Sequence, residues 1–408
     1  MAILEGIRIQ NYRALKDVTL GQTFENKKGA DVLPRLMAII GANGAGKSTL
    51  LDAFGFIGDC LNEGVETACD KPHRGGFERL RTLGVCEPIQ FEIRYRQAKN
   101  ERPISYSLHI DLDKQGRVVV VYERLRQRRF GKSNGQPYSF LELTNGIGFA
   151  WTGEESNGIE GTERASIQMG DRQVLGVSTL GTLIDHPRIS QFRSFLSGWY
   201  LSYFVPELAR SQPTAGAEPH LNRRGDNLAK YLQFMERQQP NGFKKVLIGI
   251  ATKIPGLKEI KSVKTPDGRL LLEFHAGGYD KPFYQQDMSD GSLKLLAYML
   301  LVEDPDPAPF IGIEEPENGL HHQLLALLAA ELQGLALKTR GPQVLVTTHS
   351  PNFVDALTPS EVWVLDKGPN GYSSLTRSED LPNIKEMFDE GIPMGSLWYS
   401  NHLGIGNP

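Results

Sequence analysis

The sequence predicts an α/β protein with a mixed, largely parallel core sheet flanked by helices, an antiparallel β block and a helical lobe. Three observations carry that expectation. The stretch LMAIIGANGAGKSTLLDAF, residues 36–54, runs from an apolar strand through a glycine-rich turn into a helix with apolar residues at helical spacing. From about residue 88 the apolar period changes to two, as in strands with one buried face. The last third alternates strand and helix, which calls for a buried parallel sheet with crossover helices.

Taken in order, residues 4–20 and 36–41 read as strands on either side of the polar loop GQTFENKKGADVLP. Beyond Lys47, the residues Leu50, Leu51, Phe54 and Ile57 form one helical face. IQFEIRYR, ISYSLHIDL and RVVVVYERLRQ then alternate apolar and polar positions, and Asp113 to Gly116 make the turn between the last two. YSFLEL and IGFAW flank Asn145-Gly146, a pair suited to a hairpin turn. Residues from about 187 to 260 read as helical, because ISQFRSFLSGWYLSYF and DNLAKYLQFMERQQ place apolar residues three and four apart. A short hairpin surrounds Pro266-Asp267-Gly268, and MSDGSLKLLAYMLLVED is a loop opening a strongly apolar helix. Strand FIGIEEPE, helix LHHQLLALLAAELQGLAL, strand QVLVTTHS, a helix to about Leu357 and strand EVWVLD complete the chain.

Composition narrows the function. The net charge of −3 gives no global basic field, so any nucleic-acid contact must be a local patch. Cys60, Cys69 and Cys86 lack C-x-x-C spacing and fit a reducing compartment. The charged opening MAILEGIRIQNYRALKD is not a leader, and no apolar run approaches the roughly 20 residues of a membrane span. A cytoplasmic location without a membrane partner is therefore expected.

Four elements carry chemistry. Gly41 to Ser48 fits G-x-x-x-x-G-K-[ST]: a loop of Gly41, Asn43, Gly44 and Gly46 whose backbone N–H groups crowd a polyphosphate, followed by Lys47, Ser48 and Thr49 at a helix N-terminus. Lys47 reaches the β- and γ-phosphates, and the Ser48 hydroxyl faces Mg²⁺. In FIGIEEPENGLHH, two carboxylates end a buried strand, the edge at which open parallel sheets bind ligands. Glu314 is placed to hold Mg²⁺, and Glu315 to orient and polarise the attacking water. His349 ends the strand of VLVTTHS at the same sheet edge, within reach of a γ-phosphate. Ser289 and Gly291 open a helix N-terminus, which reads equally as an anion site or as a simple cap when taken alone.

The order of these four elements resembles that of the ABC-type ATPases: Walker A, signature, Walker B, switch histidine. Within them the chain is similar to the RecF/SMC/OLD-like branch, on LEGIRIQNYRALKDVTL, GDNLAKYLQFM with IPGLKEI, EEPENGLH and TTHSPNFVD. The resemblance implies a P-loop NTPase of ABC type that hydrolyses ATP with Mg²⁺. It also implies a homodimer in which Ser289 and Gly291 of one copy meet the γ-phosphate held at Lys47 of the other. Asn318 and Gly319 would lie at that interface. Glu314 stands where many members carry aspartate, which retains the carboxylate. Gln90 is the Q-loop glutamine by position only. On this reading residues 1–186 and 303–408 form the nucleotide-binding lobe, with the β block inserted at about 88–152, and residues 187–302 form the helical lobe carrying the signature.

No sustained heptad run is present, and too few residues follow His349 for a TOPRIM nuclease domain, so a bare head is expected. The expected role is ATP-dependent sensing or regulation of a separate effector, such as a TOPRIM-type nuclease, in anti-phage defence or genome maintenance. The alternative is a RecF-like ATPase acting directly on DNA in repair. That alternative needs Arg124, Arg126, Arg128 and Arg129, with Lys132, to form a basic hairpin tip against phosphates; the same residues fit a solvated strand face as well.

Overall fold

A six-stranded sheet separates two hydrophobic cores. Its strand order is Trp199–Ser202, Phe310–Glu314, Gln343–Thr347, Leu36–Ile40, Val362–Lys367 and Ser373–Arg377. All neighbours are parallel except the last pair. The computed structural model describes residues 2–24, 31–128, 137–153, 163–238, 240–254, 256–304, 306–339 and 341–406. Leu36–Ile40 and Gln343–Thr347 are buried at every position, because helices and a second sheet cover both faces and leave neither to solvent. Met37, Ile39, Phe310, Leu345 and Leu365 enter one core, while Ala38, Ile40, Ile311, Ile313, Val344 and Val346 enter the other.

The first core lies between this sheet and an eight-stranded antiparallel one. The order of the latter is Leu15–Gly21, Ile3–Tyr12, Ile89–Arg96, Ile104–Leu112, Val118–Gln127, Tyr138–Thr144, Ile147–Trp151 and Arg164–Gln168. Helix Lys47–Glu63 reaches both sheets: Phe54 stacks on Phe310 at 4.9 Å between ring centroids, and Phe56 meets Phe91 at 5.8 Å. A buried glutamine ties the sheets directly. The Gln343 amide accepts from Leu4 N–H at 2.6 Å and donates to Leu4 C=O at 2.9 Å, so both polar groups are satisfied where a loss would be costly.

The second core is helical. Helices Leu228–Gln238, Pro240–Lys253, Asp290–Val302 and His322–Leu337 pack there with a small antiparallel sheet of Leu257–Lys264, Leu270–Ala276 and Phe283–Tyr284. Leu293 through Val302 are buried without interruption, which explains why that helix is apolar all round apart from Lys294. Among the described residues, no helix is long and apolar enough to cross a membrane.

Three features differ from the sequence expectation. The antiparallel sheet exceeds the block at about 88–152, taking in both N-terminal strands at one edge and Arg164–Gln168 at the other. WYLS, expected to continue a helix, is a strand: the helix Pro187–Ser197 stops at Gly198, and Trp199 to Ser202 pair in register with Phe310 to Ile313. Tertiary pairing overrode a weak local preference in a segment rich in aromatics. Finally, the helix Pro187–Ser197 packs on the antiparallel sheet, with Phe192 against Tyr95 at 5.1 Å and Tyr106 at 4.8 Å.

Candidate nucleotide site

The strand Leu36–Ile40 delivers the glycine loop to the sheet edge, and the helix Lys47–Glu63 leads away from it. Gly46 precedes that helix with φ of +110°, a conformation that a side chain would strain. Asn43 and Gly44 are exposed on the loop, as is Ser48 in the first turn of the helix, and Thr49 is half-buried just behind it. Lys47 is 5% exposed, and its ammonium donates to Gly41 C=O at 2.9 Å and Ala42 C=O at 3.3 Å. Burial pushes its pKa down, while Glu315, Glu317 and Glu314 oppose that shift. An ammonium held this way, over backbone carbonyls and beside three carboxylates, is poised for a polyanion.

The carboxylates arrive on the neighbouring parallel strands. Glu314 ends Phe310–Glu314 with Ser48 beside its carboxylate. Burial holds its pKa above the ordinary glutamate value, with Ser48 pulling the other way and Glu315 adding to the rise. Mg²⁺ typically takes one or two carboxylates, phosphate oxygens and waters in preference to an all-protein cage. Ser48 and Glu314 offer such an oxygen pair, and no closed cluster of three or more His, Cys, Asp or Glu occurs among the described residues. This chain's donors therefore fit Mg²⁺. An acid limb follows: ATP turnover is expected to fall on acidification at a pH higher than an ordinary glutamate would set, because protonated Glu314 no longer offers a full carboxylate. The pH–rate profiles of the parent chain and Glu314→Gln would check this, since the variant should lose the limb along with most activity.

Glu315 follows immediately, with φ of +40°, a strained value for a residue with a Cβ. Its surroundings fix that backbone. The Glu315 N–H donates to Thr347 C=O at 2.9 Å, and Lys294 Nζ lies 3.5 Å from the Glu315 C=O. One carboxylate oxygen, Oε1, lies 3.4 Å from His349 Nε2; the other accepts from the Asn318 amide at 2.9 Å. Glu317 closes the group, accepting from the Thr348 hydroxyl at 2.9 Å and from the His349 N–H. Lys47, Ser48, Glu314, Glu315 and His349 thus lie together at one edge of the sheet.

Ser289 caps the helix Asp290–Val302, its hydroxyl accepting from Ser292 N–H at 3.3 Å. Arg210 steadies the approach, donating to Met288 C=O at 2.9 Å and to the Asp290 carboxylate at 2.5 Å. Gly291 lies against the turn after the acids: a Cβ there would stand 2.5 Å from Gly319 C=O. Gly291→Ala is expected to displace that turn at a cost of about 1–3 kcal/mol, readable by urea unfolding. Among the described residues, no hydrogen bond or ion pair joins Ser289 or Gly291 to the phosphate loop of the same chain.

Gln90 falls elsewhere. It pairs with Gln10 and His109 inside the antiparallel sheet. Its neighbour Phe91 packs on Tyr12 and Phe56, so the pleat turns Gln90 to the opposite face, away from the helix Lys47–Glu63. The structure does not bring it into the group around Glu314. The basic strand is largely engaged within the sheet. Arg124 donates to the Ser139 hydroxyl at 2.6 Å and lies 3.7 Å from Glu142; Arg126 covers the Phe24 ring at 3.4 Å and lies 4.0 Å from Glu92. The Arg128 carbonyl accepts from Arg102. Arg129 and Lys132 lie outside the described residues. Two participants escaped the sequence reading. Glu317 had a signal, an acid in the turn right after the strand; Lys294 had only its place in an otherwise apolar helix.

The chain is similar to known proteins over most of its length. A family model described as "AAA domain, putative AbiEii toxin, Type IV TA system" matches residues 36–355. The fold is similar to that of a solved SmcHead bound to the C-winged helix domain of ScpA, with a TM-score of 0.55 at 14% identity, covering 91% of this chain and 97% of that one. It is also similar to the Smc head domain with an extended coiled coil bound to the C-terminal domain of ScpA derived from Pyrococcus furiosus, with a TM-score of 0.52 at 14% identity and coverage of 95% and 100%. Among curated proteins no sequence match is significant. The chain belongs to this AAA-domain family and has the ABC-type P-loop ATPase fold of SMC heads.

Proposed function

We propose that this chain binds and hydrolyses ATP, and that two copies close face to face on two ATP molecules. Each nucleotide would lie on Lys47 and Ser48 of one copy and beneath Ser289 and Gly291 of the other. One observation carries the reading. The cradle at Lys47 comes with its acids and histidine, while the capped helix end at Ser289 is exposed and bonds to nothing in the cradle of its own chain. A helix N-terminus favours an anion, and a second copy supplies one.

In the chemical step Glu315 orients and polarises the attacking water, and His349 and Lys47 meet the γ-phosphate oxygens. Ser48 and Glu314 would hold Mg²⁺, which when bound would neutralise phosphate charge. ATP then acts as the adhesive and hydrolysis as the release. Size-exclusion chromatography with light scattering tests the dimer: Glu315→Gln in saturating ATP and Mg²⁺ should double in mass, and a monomer would refute the sandwich.

The wider role we infer is that of an ATP-switched regulator paired with a separate effector, a nuclease, in anti-phage defence or genome maintenance. The family description, "putative AbiEii toxin, Type IV TA system", favours a paired protein. So does the ScpA domain bound to each of the two Smc heads of like fold. Affinity capture of the tagged chain, with and without ATP, should recover one protein in an ATP-dependent manner.

A further inference from the structure

The geometry points to Lys294 as a positioning residue that couples the two nucleotide sites of the dimer through a single chain. The inference rests on the dimer reading above and extends it to regulation. Lys294 lies one turn into the helix that Ser289 caps, and it is only 6% exposed. A buried ammonium needs partners, and this one donates to Asn318 C=O at 2.7 Å, with Glu315 C=O at 3.5 Å. Burial lowers its pKa; Glu317, Glu315 and Asp290 pull it back.

The chain of contacts continues from there. Asn318, held at its carbonyl by Lys294, uses its side-chain amide to hold Glu315 Oε2 at 2.9 Å. His349 lies 3.4 Å from the other oxygen, Oε1. Both oxygens of the carboxylate that must address a water are therefore engaged by groups of the same chain. The amide engaging one of them is tethered through Lys294 to the helix end that would meet the partner's phosphate. Gly291, with no side chain, lets that helix end lie directly on the Gly319 carbonyl of the same turn.

A phosphate arriving at Ser289 and Gly291 displaces this helix end, and Lys294 carries the displacement to Asn318 and so to Glu315. In each copy, the signature of one composite site thereby sets the water-activating carboxylate of the other. A displacement of this kind acts on one bistable turn and needs no long pathway.

The test uses the full chain. ATP turnover against ATP concentration is measured for the parent, Lys294→Met and Lys294→Arg, and ATP-driven dimerisation is measured for each in the Glu315→Gln background. Lys294→Met should lower kcat by about tenfold and bring the Hill coefficient to one, while KM and dimerisation stay within about twofold, a coupling of ordinary size. Lys294→Arg should recover most of the kcat, since a guanidinium still reaches the carbonyls. Parental kcat and cooperativity in Lys294→Met would overturn the inference. So would joint loss of dimer, thermal stability and kcat that arginine does not rescue, which would mark the residue as mere support. If Glu315→Gln with an intact Lys294 stays monomeric, the dimer reading itself falls, and this inference with it.

Discussion

Glu315→Gln should reduce ATP turnover by about 10²–10⁴-fold while leaving the fold and ATP binding intact. The amide is isosteric and keeps a partner in Asn318, so the strained backbone at φ +40° retains its supports through Thr347 and Lys294. What the variant would lose is the negative charge proposed to polarise the water, and the carboxylate oxygen 3.4 Å from His349 Nε2. Single-turnover hydrolysis separates this from a binding defect: nucleotide retention on a filter should match the parent, and phosphate release should not. An equal fall in retention and release would instead place Glu315 in ground-state binding.

Arg74→Met should cost about 3–5 kcal/mol of stability, the largest single effect expected away from the nucleotide. The Arg74 side chain is 1% exposed and bridges two carboxylates on the phosphate-loop helix, Asp52 at 2.8 Å and Asp59 at 2.7 Å. Tyr12 also donates to Asp52 at 2.7 Å, which ties the first strand to the same knot. Burial alone would raise the Asp52 pKa, but hydrogen bonding to Arg74 and its charge, with help from Tyr12 and Arg13, hold it below the ordinary aspartate value. A carboxylate depressed in the folded state contributes stability above its unfolded pKa and loses it as pH falls through the folded one. The cost of Arg74→Met should therefore be greatest near neutral pH and shrink in acid, where Asp52 takes a proton. Urea unfolding of the parent and the variant at pH 7 and at pH values stepped down below the ordinary aspartate range would show it (on the order of 1–3 kcal/mol/M in m-value for a small domain, more for a chain of this size).

The candidate site was legible in the sequence to the extent that its chemistry is local. Gly41 to Ser48, Glu314-Glu315 and His349 each sit at the end of a buried strand, so a parallel sheet alone suffices to bring them to one edge. Gln90 shows the limit. Its position along the chain was suitable, yet strand pairing fixes a face, and Phe91 had the stronger claim to the core. Glu317 and Lys294 were harder still, because their roles exist only across turns: one meets the histidine strand, the other meets the turn after the acids. The fold followed the same rule. Periodicity gave the hairpin at Asn145-Gly146 and the strands of the last third, but not the strand at Trp199, whose partner lies over a hundred residues downstream at Phe310.

The central position of Leu36–Ile40 has a consequence for the order of assembly. This strand is made early, yet both of its neighbours in the sheet, Gln343–Thr347 and Val362–Lys367, are made late. Gln343 likewise anchors Leu4, across 339 positions. As the ribosome delivers the chain, the phosphate loop must wait without its supporting sheet until the stretch from Gln343 to Lys367 has emerged. Long-range closures of this kind are slow and leave apolar edges open in the meantime. A nascent head therefore has no completed cradle to offer ATP, and a truncated product would be a candidate for chaperones and proteases and not for premature pairing.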